Sequence, residues 1–314
     1  MFSWLALAIL ALLSYLGTFP YRRLWMRAKG SALTPKGYGA LLPFFLTVYA
    51  ALAGTSPQTV WACAAISAMT ALYWIDDISE LKVMLRVALQ FGAGALLAWL
   101  TLREGTGHLP LPLPLACLIA GAANIALTNM INFYDGADLH ISLLLVLLAA
   151  VLIAMPATGP GLGPLAFAAM AFVLPFAFVN RVPKSLYFGD AGSFAMASLV
   201  TMATVSSARD GDSRAALAAI PLILPAMDVA YVFILRVRHK EDLLSRNYHH
   251  LYQQLQIRYR GFWYLLPQPV FAGLLLGVSL GLMGLGLYPL AAVAAASIAL
   301  TPALYLAARA MFLK

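Results

Sequence analysis

A chain of 314 residues that is 62% hydrophobic and 10% charged, with a mean hydropathy of +0.85, is far too apolar for a water-soluble domain, in which about a quarter of residues carry charge. The net charge of +8 does not point to nucleic acid, because the basic residues lie in short loops between apolar runs and form no continuous stripe with stacking aromatics. Cys63 and Cys117 are the only cysteines, both inside apolar runs, which excludes a disulfide framework or a thiolate metal site.

About 20 apolar residues cross a bilayer, and on that measure the sequence divides into eleven spans, near 2–18, 39–56, 58–75, 84–102, 112–130, 141–157, 163–180, 190–208, 213–235, 262–284 and 286–308. The expected fold is therefore an all-α, polytopic membrane protein forming one transmembrane domain over residues 1–314. The first run has no early basic region and no clear small-residue cleavage site, so it is expected to stay as a span. Eleven crossings place the termini on opposite sides. With the N-terminus outside, the inside loops near 19–38, 76–86, 131–140, 181–189 and 236–261, with the C-terminus, hold 17 of the 20 Lys and Arg residues; Arg103, Arg209 and Arg214 lie opposite. Every polar stretch fit for chemistry then faces the cytoplasm.

Following the third span, "ALYWIDDISEL" sets Asp76 beside Asp77. On a helix they point about 100 degrees apart, so they are not a stacked pair. An interfacial cap paired with Lys82 or Arg86 is one reading, and a ligand site is the other, because acids at a membrane edge commonly mark ion or substrate sites. After the fifth span, "TNMINFYDGAD" spaces Asn129, Asn132, Asp135 and Asp138 by three. Asn129 and Asp138 fall on opposite faces of a regular helix and converge only if it breaks, for which Gly136 is the expected position. The competing reading is a helix end with ordinary turn formers.

"YFGDAGS" opens the eighth span with Asp190 between Gly189 and Gly192. A helix start can hold phosphate on its free N–H groups, whereas a carboxylate repels it; a divalent cation resolves that conflict. In the ninth span, Asp228 lies about two turns before Arg236, either meeting a structural partner such as Tyr or ordering the basic loop. That loop carries Arg236, Arg238, Lys240, Arg246, His249 and His250, donors suited to phosphate; attraction to anionic lipid would give a similar composition.

In their order and spacing, "DDISEL" with Arg86 and Gln90, "TNMINFYDGAD", "YFGDAGS", "LPAMD" and "HHLYQQL" resemble the polyprenyl-phosphate N-acetylhexosamine-1-phosphate transferases, the glycan-initiating type of glycosyltransferase family 4. The resemblance implies a multispan helical enzyme of the bacterial inner membrane. It would use Mg²⁺, or Mn²⁺, to move an amino-sugar 1-phosphate from a UDP-N-acetylhexosamine or related UDP-sugar to polyprenyl phosphate, with UMP released. Such a step initiates lipid-linked glycans of the O-antigen, lipopolysaccharide or cell-wall kind. It assigns catalysis to Asp76, Asp77, Asp135 and His250, nucleotide binding to Asn132, Asp138, Arg246 and His249, and metal binding to Asp190 and Asp77. Nucleic acid is not an expected partner, and a homodimer is left open. This chain departs from the pattern at Leu139, where the family has Gly, at His140, where it has Leu, at Glu80 for Asp and at Asn247 for His. Its first loop keeps only "TPKGYG" of a longer segment and lacks the usual acid. A transporter with an acidic coupling site is the alternative from another class; it would place its acids near the bilayer midplane.

Overall fold

The computed structural model describes residues 4–30, 33–154, 162–182, 185–211, 213–242, 248–259 and 261–312. The helices are α1 (Trp4–Lys29), α2 (Leu42–Leu52), α3 (Pro57–Ser79), α4 (Val83–Leu102), α5 (Leu113–Tyr134), α6 (His140–Ala154), α7 (Leu162–Asn180), α8 (Asp190–Arg209), α9 (Ile220–Arg238), α10 (Leu251–Arg258), α11 (Pro267–Gly284) and α12 (Pro289–Phe312). Each expected span overlaps one of these helices. Among the described residues nine helices are long and apolar enough to cross a membrane, and two apolar segments, Tyr38–Leu52 and His140–Ala154, are shorter. The chain is an all-α polytopic membrane protein with nine candidate spans among the described residues, where the sequence led to an expectation of eleven.

Several expected loops are shorter than the sequence suggests. Helix α1 runs on through Tyr21 to Lys29, taking in much of the region expected as loop 19–38. Leu, Met, Arg and Lys are good helix formers, and Arg27 and Lys29 suit the negative end of the helix dipole. Asp76 and Asp77 lie in the last turn of α3, and Asn129 and Asn132 lie in α5. Polar residues at these helix ends extend the helix into the interface rather than end it.

Where the hydropathy pattern reads as one continuous domain, packing divides the chain into two compact units, Met1–Asp212 and Ser213–Lys314. In the first, α8 packs along α3, α4 and α5, while α7 packs against α1, α2 and α6. Ala191, Gly192, Ala195 and Ala197 on α8 are buried and small, which allows close helix approach. Tyr73 of α3 stacks on Phe194 with ring centroids 4.6 Å apart.

Within this bundle, Gln90 of α4 joins α4 to α3 and α5. Its amide donates to Tyr73 Oη at 2.9 Å, its carbonyl accepts from Asn124 Nδ2 at 2.7 Å, and its side-chain oxygen accepts from Asn129 Nδ2 at 3.1 Å. Thr201 of α8 donates to Asn124 Oδ1 at 3.1 Å. Satisfied polar groups of this kind fix helix register in hydrocarbon, where an unmet donor would be costly. In the second unit, α9 packs against α11 and α12.

Candidate functional site

The first unit gathers three acidic segments onto one another. Gly189 has φ 84, open to glycine, and begins α8 so that the free N–H groups of Asp190 and Ala191 point at Asp77. Asp77 Oδ1 accepts from Asp190 N–H at 3.1 Å and Oδ2 from Ala191 N–H at 2.9 Å. A carboxylate on the last turn of α3 thus caps the first turn of α8 and meets the positive end of its dipole. Lys36 Nζ stands 3.6 Å from the same Oδ1. Asp76, one residue earlier, turns the other way, as the 100-degree step requires. Its Oδ1 accepts from Leu81 N–H at 2.6 Å and its Oδ2 lies 3.5 Å from Arg86. Both adjacent acids therefore hold structure, Asp76 the turn from α3 to α4 and Asp77 the start of α8.

Asp135 lies just past α5, where the helix breaks. It is largely enclosed, and burial, followed by the neighbouring carboxylates Asp190, Asp77 and Asp138, pushes its carboxyl well above the usual Asp range. Asp138 is also raised by burial. Asn132, one turn before Asp135, hydrogen-bonds the Asp190 side chain. Asn132, Asp135 and Asp138 thus share one cluster through a break after Tyr134 and not at the expected glycine, whereas Asn129 stays apart and donates to Gln90 Oε1 at 3.1 Å. The positive backbone angle belongs to Leu139, at φ 64, with its N–H donating to Asn180 Oδ1 at 2.7 Å. His140, beside it, brings Nδ1 to the Tyr134 carbonyl at 2.8 Å, and its ring lies 4.1 Å from that of Tyr134. The imidazole satisfies a carbonyl that the end of α5 would otherwise leave exposed, so both departures from the family pattern are built into this turn.

Sequence reasoning passed over the first loop as a remnant. Its residues form a wall of the site. Tyr187 N–H donates to the Pro35 carbonyl at 2.8 Å and Gly39 N–H to the Phe188 carbonyl at 3.0 Å, so residues 35–39 run against 187–188 like a short strand pair. A Cβ on Gly39 would meet Gly192 Cα at 2.5 Å, and one on Gly189 would meet Gly37 N at 2.3 Å. Tyr38, fully buried, stacks on Phe172 and Phe176 and donates to the Ser14 carbonyl at 2.5 Å. These anchors carry Lys36 to the acids. The signal present in the sequence was the Gly-x-Gly spacing of 37 and 39, the mark of backbones that approach closely.

Among the described residues no three His, Cys, Asp or Glu side chains stand as a ready-made metal cage. The donor set still suits a hard cation of the Mg²⁺ type, which takes one or two carboxylates and completes its shell with water and phosphate oxygens. Asp190 and Asp135 repel each other as carboxylates, and a cation would relieve that repulsion.

Residues 59–208 match the model of glycosyl transferase family 4. A search of curated proteins finds no match. The matched segment begins in the first turn of α3 and ends in the last turn of α8, so it contains Asp76, Asp77, Asn132, Asp135, Asp138 and Asp190. A segment similar to glycosyl transferase family 4 thus lies within a polytopic membrane fold. Lys36 lies before it and the whole of the second unit after it.

In that second unit, Asp228 of α9 is 1% exposed and is met by three donors. His250 Nδ1 lies 2.8 Å from Oδ2, while Leu251 N–H at 2.9 Å and Tyr305 Oη at 2.6 Å donate to Oδ1. Arg309 donates to Tyr305 Oη at 3.2 Å and to the His249 carbonyl at 2.9 Å, with its guanidinium 4.5 Å from the Tyr231 ring centre. His249 Nε2 stands 3.2 Å from Glu241 Oε2, and Arg236 Nε lies 3.3 Å from the same oxygen. Arg246, expected to bind the nucleotide, and Asn247 lie outside the described residues.

Proposed function

We propose that the chain transfers an N-acetylhexosamine 1-phosphate, or a related amino-sugar phosphate, from a UDP-sugar to a polyprenyl phosphate such as undecaprenyl phosphate at the cytoplasmic face of a bacterial inner membrane. An oxygen of the lipid phosphate attacks the phosphorus that bears the sugar; the bond to the UMP oxygen breaks and UMP leaves. The observation that carries this reading is the meeting of Asp77, Asp135 and Asp190 at the helix ends of a glycosyltransferase family 4 segment, with Lys36 beside them.

Both reactants are anions, so the protein's task is to gather positive charge and fix position rather than to supply a strong base. Asp190 and Asp77 would hold a magnesium or manganese ion, which neutralises the diphosphate. Asn132 orients the Asp190 carboxylate. Lys36 and Arg86, both partly exposed, can turn from their carboxylates to an incoming phosphate. Asp138, His249 and Arg246 are assigned to the nucleotide, and Asp76, Asp135 and His250 to the reacting groups. A transporter reading is not favoured, because these acids sit at helix ends rather than at mid-helix.

The test is purified full-length protein with Mg²⁺, undecaprenyl phosphate and a panel of UDP-sugars, read as UMP release and lipid-linked product. Release that requires the lipid phosphate and one or more UDP-N-acetylhexosamines is the expected result. No release with any donor, together with solute uptake by proteoliposomes, would overturn the reading in favour of transport.

A further inference from the structure

Asp228 shares its two oxygens unequally. Oδ1 takes the Leu251 N–H and the Tyr305 hydroxyl, whereas Oδ2 faces only the His250 ring. A carboxylate accepts and does not donate, so the ring nitrogen facing it carries the proton. In the neutral ring Nε2, which makes no hydrogen bond to the described residues, is then the lone-pair nitrogen. Stacking on Tyr252, with ring centres 5.7 Å apart, fixes the plane of the imidazole, and the side chain is buried. Leu251 follows His250 directly, so one carboxylate holds both the backbone at the start of α10 and the side chain before it. Tyr305 and Arg309, from α12, fix that carboxylate in turn.

We propose that Asp228 is the positioning residue for His250, setting its tautomer and aim so that Nε2 accepts the proton of a phosphate monoester, with Tyr305 as the second support. This rests on the reading that a lipid phosphate is the acceptor. The proton passes from the phosphate O–H to Nε2, no other bond changes, the resulting imidazolium is offset by Asp228, and the proton then leaves to water. An acceptor phosphate stripped of its proton is the better nucleophile. The arrangement lies wholly in the second unit, outside the glycosyltransferase family 4 match.

Asp228→Asn separates positioning from packing. The amide oxygen can replace Oδ1, keeping the bonds to Leu251 and Tyr305, while the amide NH₂ replaces Oδ2 and donates to Nδ1. The proton then moves to Nε2, which becomes a donor. The full-length protein, labelled with ¹⁵N-histidine in detergent, is compared by NMR as wild type, Asp228→Asn and Tyr305→Phe, with His250→Gln to assign the ring among the five histidines. The wild type should show the Nδ1-protonated form and Asp228→Asn the Nε2-protonated form. In UMP release, Asp228→Asn should lower kcat about a hundredfold with KM for the UDP-sugar little changed, and Tyr305→Phe should keep the tautomer and lose less.

A wild-type ring protonated at Nε2 overturns the proposal from the unmutated protein alone, even where the variants fail to fold. So does Asp228→Asn with the flipped ring and ordinary kcat, or a loss in Tyr305→Phe equal to that in Asp228→Asn without any change in the ring. If the wild type transfers no sugar phosphate to any lipid, the proposed function fails, while the spectrum still decides whether Asp228 sets the ring.

Discussion

Asp77 and Asp190 present the same functional group within one hydrogen-bonded cluster, yet they face different demands. Both oxygens of Asp77 accept from the first turn of α8, whereas the Asp190 side chain meets an Asn132 amide. Asp190→Asn is therefore expected to leave thermal unfolding nearly unchanged and to lower turnover by two orders of magnitude or more, as a lost transition-state interaction of about 3 kcal/mol would. Asp77→Asn removes one of two capping acceptors and the partner of Lys36, so it should also lower stability by about 1–3 kcal/mol. Paired unfolding and UMP-release measurements check the contrast; equal unfolding temperatures for the two variants would refute it. A pH effect belongs to Asp135. Its folded carboxyl holds a proton to higher pH than an unfolded one, so the metal-free protein should lose stability as pH rises from about 4 through that raised value. Asp135→Asn should flatten the slope, and Mg²⁺ should reverse part of it, both readable from unfolding temperatures in detergent across pH. The acids themselves were legible in the sequence because charge in an apolar chain is conspicuous. That Asp77 caps a helix 113 residues away was not, since nothing in the local spacing records a partner so distant.

At the level of elements, the turn between α5 and α6 carries an unusual demand. Leu139 occupies the left-handed region at φ 64, which costs an L-residue with a side chain about 1–2 kcal/mol. Leu139→Gly is expected to relieve that strain and leave unfolding unchanged or raised by a few degrees, while a β-branched Leu139→Val lowers it; thermal unfolding of the three proteins is the check. The boundaries of most helices were readable to within a few residues from apolar runs alone, whereas the cap of α3 by Ser56, whose hydroxyl accepts from Thr59 N–H at 3.2 Å, is seen only in the structure. The turn at Leu139 escaped because the sequence offers Gly136 as the permissive residue, whereas the left-handed angle falls three residues on, at Leu139, where the N–H is held by Asn180. The first loop escaped for a related reason. Lys36 looks like one more interfacial basic residue until Gly37 and Gly39 are seen pressed against Gly189 and Gly192.

Across the whole molecule, hydropathy gave the helical class and the order of spans, and it could not give the division into two units, because lipid-facing and protein-facing apolar residues read alike in a membrane chain. The basic bias further predicts which side each end faces. In a cysteine-free background, Lys240→Cys should react with a membrane-impermeant thiol reagent only from the cytoplasmic side of sealed vesicles, and Gly105→Cys only from the other. Reversed labelling at both positions would overturn the orientation.

The support of Asp228 by Tyr305 spans 77 residues, which bears on the order in which this protein becomes complete during synthesis. Asp228, His250 and Leu251 all leave the ribosome well before α12. Until α12 joins α9, the carboxylate has two donors in place of three, and Arg309 is not yet available to the His249 carbonyl. The imidazole is thus set in its described geometry only after α12 has been inserted, and a nascent chain halted before Tyr305 would hold every acid of the first unit and still lack a finished histidine.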